Sequence, residues 1–252
     1  MDNYIVALKK YEWIKLKKLP VPTTEQIKSI DNDCIRMYLY CYYGYSDFYN
    51  YKKKKLLNRY INKNKDNLML LASHIGNIDL ILYLEQNGLN INHKSESEEN
   101  CYLMAAKYGH IHVLEYLESR GFDINVEDKW SNNSYILASC YNKLDVLKYL
   151  DAKCINKHKK DCKGFNAYLV ATTQKNINIV KYLETMCIDT NARIKSGENA
   201  YMLAEIHGRL KTSNYLENKV LYLGHSKICS ICYKSKDDKF ITCKNNHIVH
   251  LK

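Results

Sequence analysis

The stretch NCYLMAAKYGHIHVLEYLESRGFDIN, residues 100–125, decides the fold. Leu103 and Ala106, then Val113, Leu114 and Leu117, give apolar stripes at helical spacing on either side of Gly109. The reading is two short helices broken at Gly109, the second ending in a left-handed residue at Gly121. The landmarks then recur along the chain. Ala72, Ala105, Ala138, Ala171 and Ala204 lie 33 residues apart, and Asn67, Asn100, Asn133, Asn166 and Asn199 stand five residues before them. Tyr83-Leu84, Tyr116-Leu117, Tyr149-Leu150, Tyr182-Leu183 and Tyr215-Leu216 follow in step, each with an acid after it.

Five unslipped copies imply a repeat array rather than one irregular domain. One such unit cannot bury its apolar face alone, so stability has to come from stacking neighbours. The alanine is expected where two helices approach most closely. Gly76 and Gly208 take the place of Gly109 in their units, and Gly88 that of Gly121. Cys154 and Cys187 replace that last glycine in the next two units, so they read as loop substitutions rather than as a disulfide pair or metal site.

Composition sets the outer bounds. A chain of 252 residues, 46% hydrophobic and 26% charged, can form one large or two small domains and is not disordered throughout. No run of 18 uncharged apolar residues occurs, so no membrane span is expected. The first 18 residues carry acid and tryptophan and no small-residue cleavage site, unlike a secretory signal. An intracellular protein with ten reduced cysteines is the expectation. The chain has 33 Lys against 5 Arg, 23 Tyr against 4 Phe, and 26 Asn, a bias toward A/T-rich codons, so the tyrosines are not read as a ligand cage. The net charge of +11 divides into +7 over residues 1–66, 0 over 67–222 and +4 over 223–252. With a neutral middle and no recognition motif, nucleic acid is not the expected partner.

A 33-residue helix–turn–helix unit with these landmarks and a Gly-x-x-x-Asn tail (Gly88–Asn92, Gly121–Asn125) resembles the ankyrin repeat. Where that family writes T-P-L-H-x-A, this chain has NLMLLA at 67–72 and NAYLVA at 166–171, with Asn in place to cap the first helix. The N-x-Y-x-x-A usage, with the Lys, Asn, Ile and Tyr bias, is similar to the ankyrin proteins of giant amoebal DNA viruses such as mimivirus. The resemblance implies an all-α solenoid over residues 67–222, with units 67–99, 100–132, 133–165, 166–198 and 199–222 and hairpin-like tips. It also implies a monomer that binds a protein partner without catalysis, in the host cytoplasm if the origin is viral. Residues 33–66 echo a unit at a spacing of 32 and read as a degenerate cap, with Lys52–Lys55 on or just after its second helix. Residues 1–32 read as a helical segment up to Pro20 and Pro22.

The loops 92–99, 125–132, 158–165 and 191–198 vary most. The first is acidic (Glu96, Glu98, Glu99), the second carries Trp130, and the third is basic (His158, Lys159, Lys160, Lys163). Variation of this kind suits a partner-binding edge and equally suits drift at solvent-exposed tips. His74, His110, His112 and His207 fall at the inter-helix turn and read as hydrogen-bonding groups. No phosphate loop, nucleotide fingerprint or catalytic set accompanies them, so no enzyme is expected.

Residues 223–252 leave the register and carry C-x2-C-x10-C-x3-H-x2-H: Cys229, Cys232, Cys243, His247 and His250. Thiolate and imidazole at this spacing suit tetrahedral zinc. The segment resembles the first half of a RING-H2 finger, which implies Cys229 and Cys232 as its first ligand pair, then Cys243, His247 and His250. The remaining cysteines of that family are missing. Three readings stay open: a remnant, one zinc held by Cys229, Cys232, Cys243 and either histidine, or a site completed by another chain. The resemblance implies that a complete finger would recruit a ubiquitin-charged conjugating enzyme, and the RING-like tail gives the alternative reading of the chain, a substrate adaptor or decoy in ubiquitin ligation.

Overall fold

The computed structural model describes residues 19–30, 33–46 and 64–222, with the short segments 240–242 and 248–250. Among the described residues there are twelve helices and one strand pair. They fall into two compact units, residues 1–134 and 135–252.

The first unit opens with α1 (Thr24–Lys28) and α2 (Asp33–Tyr43). α1 begins after the prolines, because Thr23 and Gln26 form a reciprocal capping box: the Gln26 N–H donates to Thr23 Oγ1 at 3.2 Å and the Thr23 N–H to Gln26 Oε1 at 2.9 Å. The helix expected before Pro20 falls on residues 1–18, outside the described residues, as does the expected second helix of the cap near Lys52–Lys55. α2 stops at left-handed Gly44, and the Tyr45 N–H reaches back to the Tyr40 carbonyl at 2.9 Å. Two helix pairs follow, α3 (Leu68–Ile75) with α4 (Ile78–Gln86) and α5 (Cys101–Tyr108) with α6 (Ile111–Ser119). α3 packs on α2, α4 and α5, and α5 on α6, so neighbours in the chain are neighbours in space.

The second unit holds three pairs: α7 (Ser134–Cys140, whose first residue closes the first unit) with α8 (Leu144–Asp151), α9 (Ala167–Thr172) with α10 (Ile177–Glu184), and α11 (Ala200–Ile206) with α12 (Leu210–Tyr222). α9 packs on α10 and α11, and α12 on α10 and α11. Farther along, β1 (Phe240–Thr242) pairs antiparallel with β2 (Ile248–His250), Ile241 opposite Val249.

The recurring residues explain these boundaries. Asn67, Asn100, Asn166 and Asn199 each accept, through the side chain, the N–H three residues on at 2.9–3.1 Å, which satisfies one of the exposed donors of the helix start. At the other end, Asn77, His110, Lys143 and Arg209 each donate an N–H to the carbonyl of the repeated alanine at 2.8–3.0 Å. That bond needs a left-handed residue just before the donor, supplied by Gly76, Gly109, Asn142 and Gly208. Gly76 has a second reason to be glycine: a Cβ there would collide with the His110 ring. The fourth pair departs from the rule. Lys175 occupies the glycine position, and α9 ends instead in right-handed Thr173. The five alanines are all buried, at most 1% exposed.

The tyrosines have a role beyond composition. The acids after the Tyr-Leu pairs accept from tyrosines of their own repeat or of the next, and Asp151 and Glu184 from both. In the first unit Tyr102 donates to Glu118 at 3.0 Å and Tyr116 to Glu85 at 3.2 Å. In the second, Asp151 accepts from Tyr135 at 3.0 Å and from Tyr182 at 2.6 Å, and Glu184 accepts from Tyr168 at 2.9 Å and from Tyr215 at 2.7 Å. Burial, reinforced by the adjacent carboxylate, pushes the Tyr135 and Tyr182 phenols well above their usual range and that of Tyr215 up to about 12. They therefore stay protonated donors near neutral pH.

Two stability effects are expected from chemical denaturation of purified variants. Tyr182→Phe removes one donor from a shared carboxylate and should cost about 1–2 kcal/mol; no loss would show that the bond is replaced by water. Cys187, exposed and left-handed at φ 55°, should gain about 0.5–1 kcal/mol as Cys187→Gly. The same change at Cys154, which does not take a positive φ, should give no such gain.

Candidate interaction surface

The variable loops share one backbone. In each, the first residue of a five-residue turn donates its N–H to the carbonyl of the fifth: Ser95 to Glu99, Asp128 to Asn132, Asp161 to Phe165 and Ile194 to Glu198, at 2.9–3.0 Å. The fourth donates back to the first at 2.9–3.0 Å and is left-handed: Glu98, Ser131, Gly164 and Gly197. This is the three-residue hairpin closed by a left-handed residue. Side chains lock two of the turns. Asp128 Oδ1 accepts from the N–H groups of Trp130 at 2.8 Å and Asn132 at 2.9 Å, and Asp161 Oδ1 from those of Lys163 and Phe165 at 2.8 Å.

Successive tips are also tied backbone to backbone. Glu96 donates its N–H to the Asn64 carbonyl at 2.8 Å and Lys129 to that of Ser97 at 3.0 Å, and in the second unit Lys195 donates to that of Lys163 at 2.9 Å. Gly164 must be glycine for two reasons: its φ is +90°, and a Cβ would sit 3.1 Å from the Lys195 nitrogen. The tips are thus ordered scaffolds on which only the side chains differ.

The side chains sort as follows. In the first unit Glu96 and Glu98 are exposed on one tip, and Trp130, 42% exposed, stands on the next with the Lys129 ammonium 5.2 Å from its ring centre. Glu96 pairs with Lys65 at 2.9 Å. Glu99, read from sequence as part of an acidic tip, is instead buried and paired with Lys107 at 2.6 Å. In the second unit His158 and Lys160 are exposed and Lys159 is half-buried.

Beneath the first tip, Asp66 is 2% exposed and accepts from the Asn64 amide at 3.1 Å. Burial, and then the Glu99 charge, push its carboxyl up to about 7, against the pull of Lys107. The sequence reading missed this cluster, although Asp66 and Glu99 occupy the same position of adjacent repeats.

The inter-helix histidines hold carbonyls of the preceding pair. His110 Nε2 lies 2.7 Å from the His74 carbonyl and His112 Nε2 2.8 Å from that of Gly76; Arg209 repeats the contact on Thr173 at 2.6 Å. His74 is buried against the Tyr108 ring, whereas His207 is exposed. Cys229, Cys232, Cys243 and His247 lie outside the described residues, and of His250 only its place in β2 is described. Among the described residues no group of three His, Cys, Asp or Glu is placed to hold a metal, and no helix is long and apolar enough to cross a membrane. No protein-family model and no curated protein matches the chain.

The Asp66 cluster makes stability depend on pH. Because the folded-state pKa is raised above the unfolded value, the proton favours the folded state, and stability falls as pH rises through about 7. Between pH 5 and 8 the loss attributable to this group should be about 2 kcal/mol, and Asp66→Asn should abolish that portion. Urea midpoints across this range check it; parallel pH profiles for wild type and variant would rule the assignment out.

Proposed function

We propose that the chain is an ankyrin-type repeat protein, a solenoid of stacked helix pairs that binds a protein partner through its loop tips and carries out no chemistry itself. The observation behind this reading is the contrast at the tips: one hydrogen-bonded turn, repeated at 33-residue intervals, carries Glu96 and Glu98, then Trp130, then Lys163, with His158, Lys159 and Lys160 leading into that third turn. A fixed backbone with differing exposed groups is the arrangement that supplies specificity without loop flexibility. Trp130 fits the anchor role, since a large exposed aromatic beside a cation gains most from burial in a partner. The repeat usage and the Lys, Asn, Ile and Tyr bias support a giant-virus type of protein whose partner would be a host protein.

Affinity capture from amoebal lysate tests the reading. A protein enriched by the wild-type chain should fall about tenfold with Trp130→Ala or Lys160→Glu, and should persist with Lys175→Ala, which lies on the inter-helix turn. Equal recovery by all variants, or no specific recovery by wild type, would overturn it.

A further inference from the structure

We infer that the two loop tips of the second unit, 158–165 and 191–198, form a docking edge for an acidic polypeptide segment; this rests on the tip-binding reading above and names its partner chemistry.

The observations concern an excess of basic groups: the two tips carry Lys159, Lys160, Lys163, Arg193 and Lys195 against Asp161 and Glu198. Residues 152–165 contain five lysines and one acid, Asp161. That carboxylate is engaged in closing its own turn through the Lys163 and Phe165 N–H groups. Three basic groups of the first unit find carboxylates, Lys65 with Glu96, Lys107 with Glu99, and Arg120 with Glu85, each drawn from a neighbouring tip or repeat. Lys157, Lys160, Lys163 and Lys195 make no ion pair among the described residues. Lys163 and Lys195, both exposed, stand on adjacent tips joined by the 2.9 Å bond between their backbones. Such a patch raises the local concentration of anionic groups and gains free energy when one settles on it.

Two features favour a polypeptide over a nucleic acid. The tip-to-tip ladder uses the carbonyls of Ser97 and Lys163, and the equivalent carbonyl of the last tip, that of Ser196, receives no N–H from the described residues. An incoming extended chain has backbone N–H donors for that acceptor, and its carboxylates on alternate residues stand about 7 Å apart on one face. A phosphodiester backbone has no such donor at regular intervals along it. The tips also carry no exposed tyrosine, tryptophan or phenylalanine ring for bases to stack on, Phe165 being half-buried and His158 the one exposed ring.

The test is fluorescence anisotropy of labelled decaglutamate with the full chain, beside labelled ten-residue oligothymidylate. The variants are Lys160→Glu/Lys163→Glu/Lys195→Glu and, for an equal charge change elsewhere, Lys148→Glu/Lys175→Glu/Lys211→Glu. Circular dichroism confirms that both fold. The expected result is that the tip variant weakens decaglutamate binding about tenfold and the control about twofold or less, while oligothymidylate binds more weakly than decaglutamate. Equal losses in both variants, no binding by wild type, or tighter oligothymidylate binding through the same lysines would each overturn the inference. If decaglutamate fails while Trp130→Ala still releases the captured partner, this inference falls and the tip-binding reading stands. If decaglutamate is lost from the tip variant while capture is the same for all variants, the acidic site stands and the Trp130 reading falls.

Discussion

Helices of six to nine residues do not hold in water alone, and ten of this chain's described helices are shorter than ten residues. Everything else follows from that constraint. An apolar stripe such as Val113, Leu114 and Leu117 can leave water only against another helix pair, so each pair depends on its neighbours. The period of 33 is the length needed to bring the chain back to an equivalent place beside the previous pair. The alanine of each first helix, buried in all five, leaves room for that return.

Apolar packing by itself sets register loosely. The shared carboxylates tighten it. Asp151 and Glu184 each accept from a tyrosine of their own pair and from one of the next, so a slip of one turn would leave a half-buried acid without its donors. His110, His112 and Arg209 do the same at the opposite end of the helices by capping carbonyls of the preceding pair. Bonds at both ends of the helix pairs, together with the tip-to-tip bonds, fix where the exposed side chains stand. The proposed binding edge is a consequence of that rigidity.

Much of this was legible in order of locality. The Asn caps, the alanines and the glycine stops depend on residues within five positions of one another, and simple counting finds them. The capping box of Thr23 and Gln26 is equally local and was present in the residues Thr-Thr-Glu-Gln, yet the two prolines before it drew attention to a helix end rather than a start. The tyrosines were the larger miss. Their abundance looked like codon bias because their partners stand 16 positions ahead or 31 behind, a relation that no local window contains. Cys154 and Cys187 occupy the same repeat position, and only Cys187 takes the left-handed conformation of the glycine it replaces.

The sequence alone determined the helical class, the unit length, most helix ends and the apolar stripe of each pair, because periodicity and capping are properties of short stretches. Tertiary structure decided the rest. Glu96 and Glu99 are three residues apart and chemically alike, but one is exposed beside Lys65 and the other is buried with Lys107 under the tip. The Asp66 carboxyl is pushed up to about 7 because folding takes it out of water and then sets the Glu99 charge beside it. A charge takes its meaning from the solvent and the neighbours that folding leaves around it, and those are not written next to it in the chain.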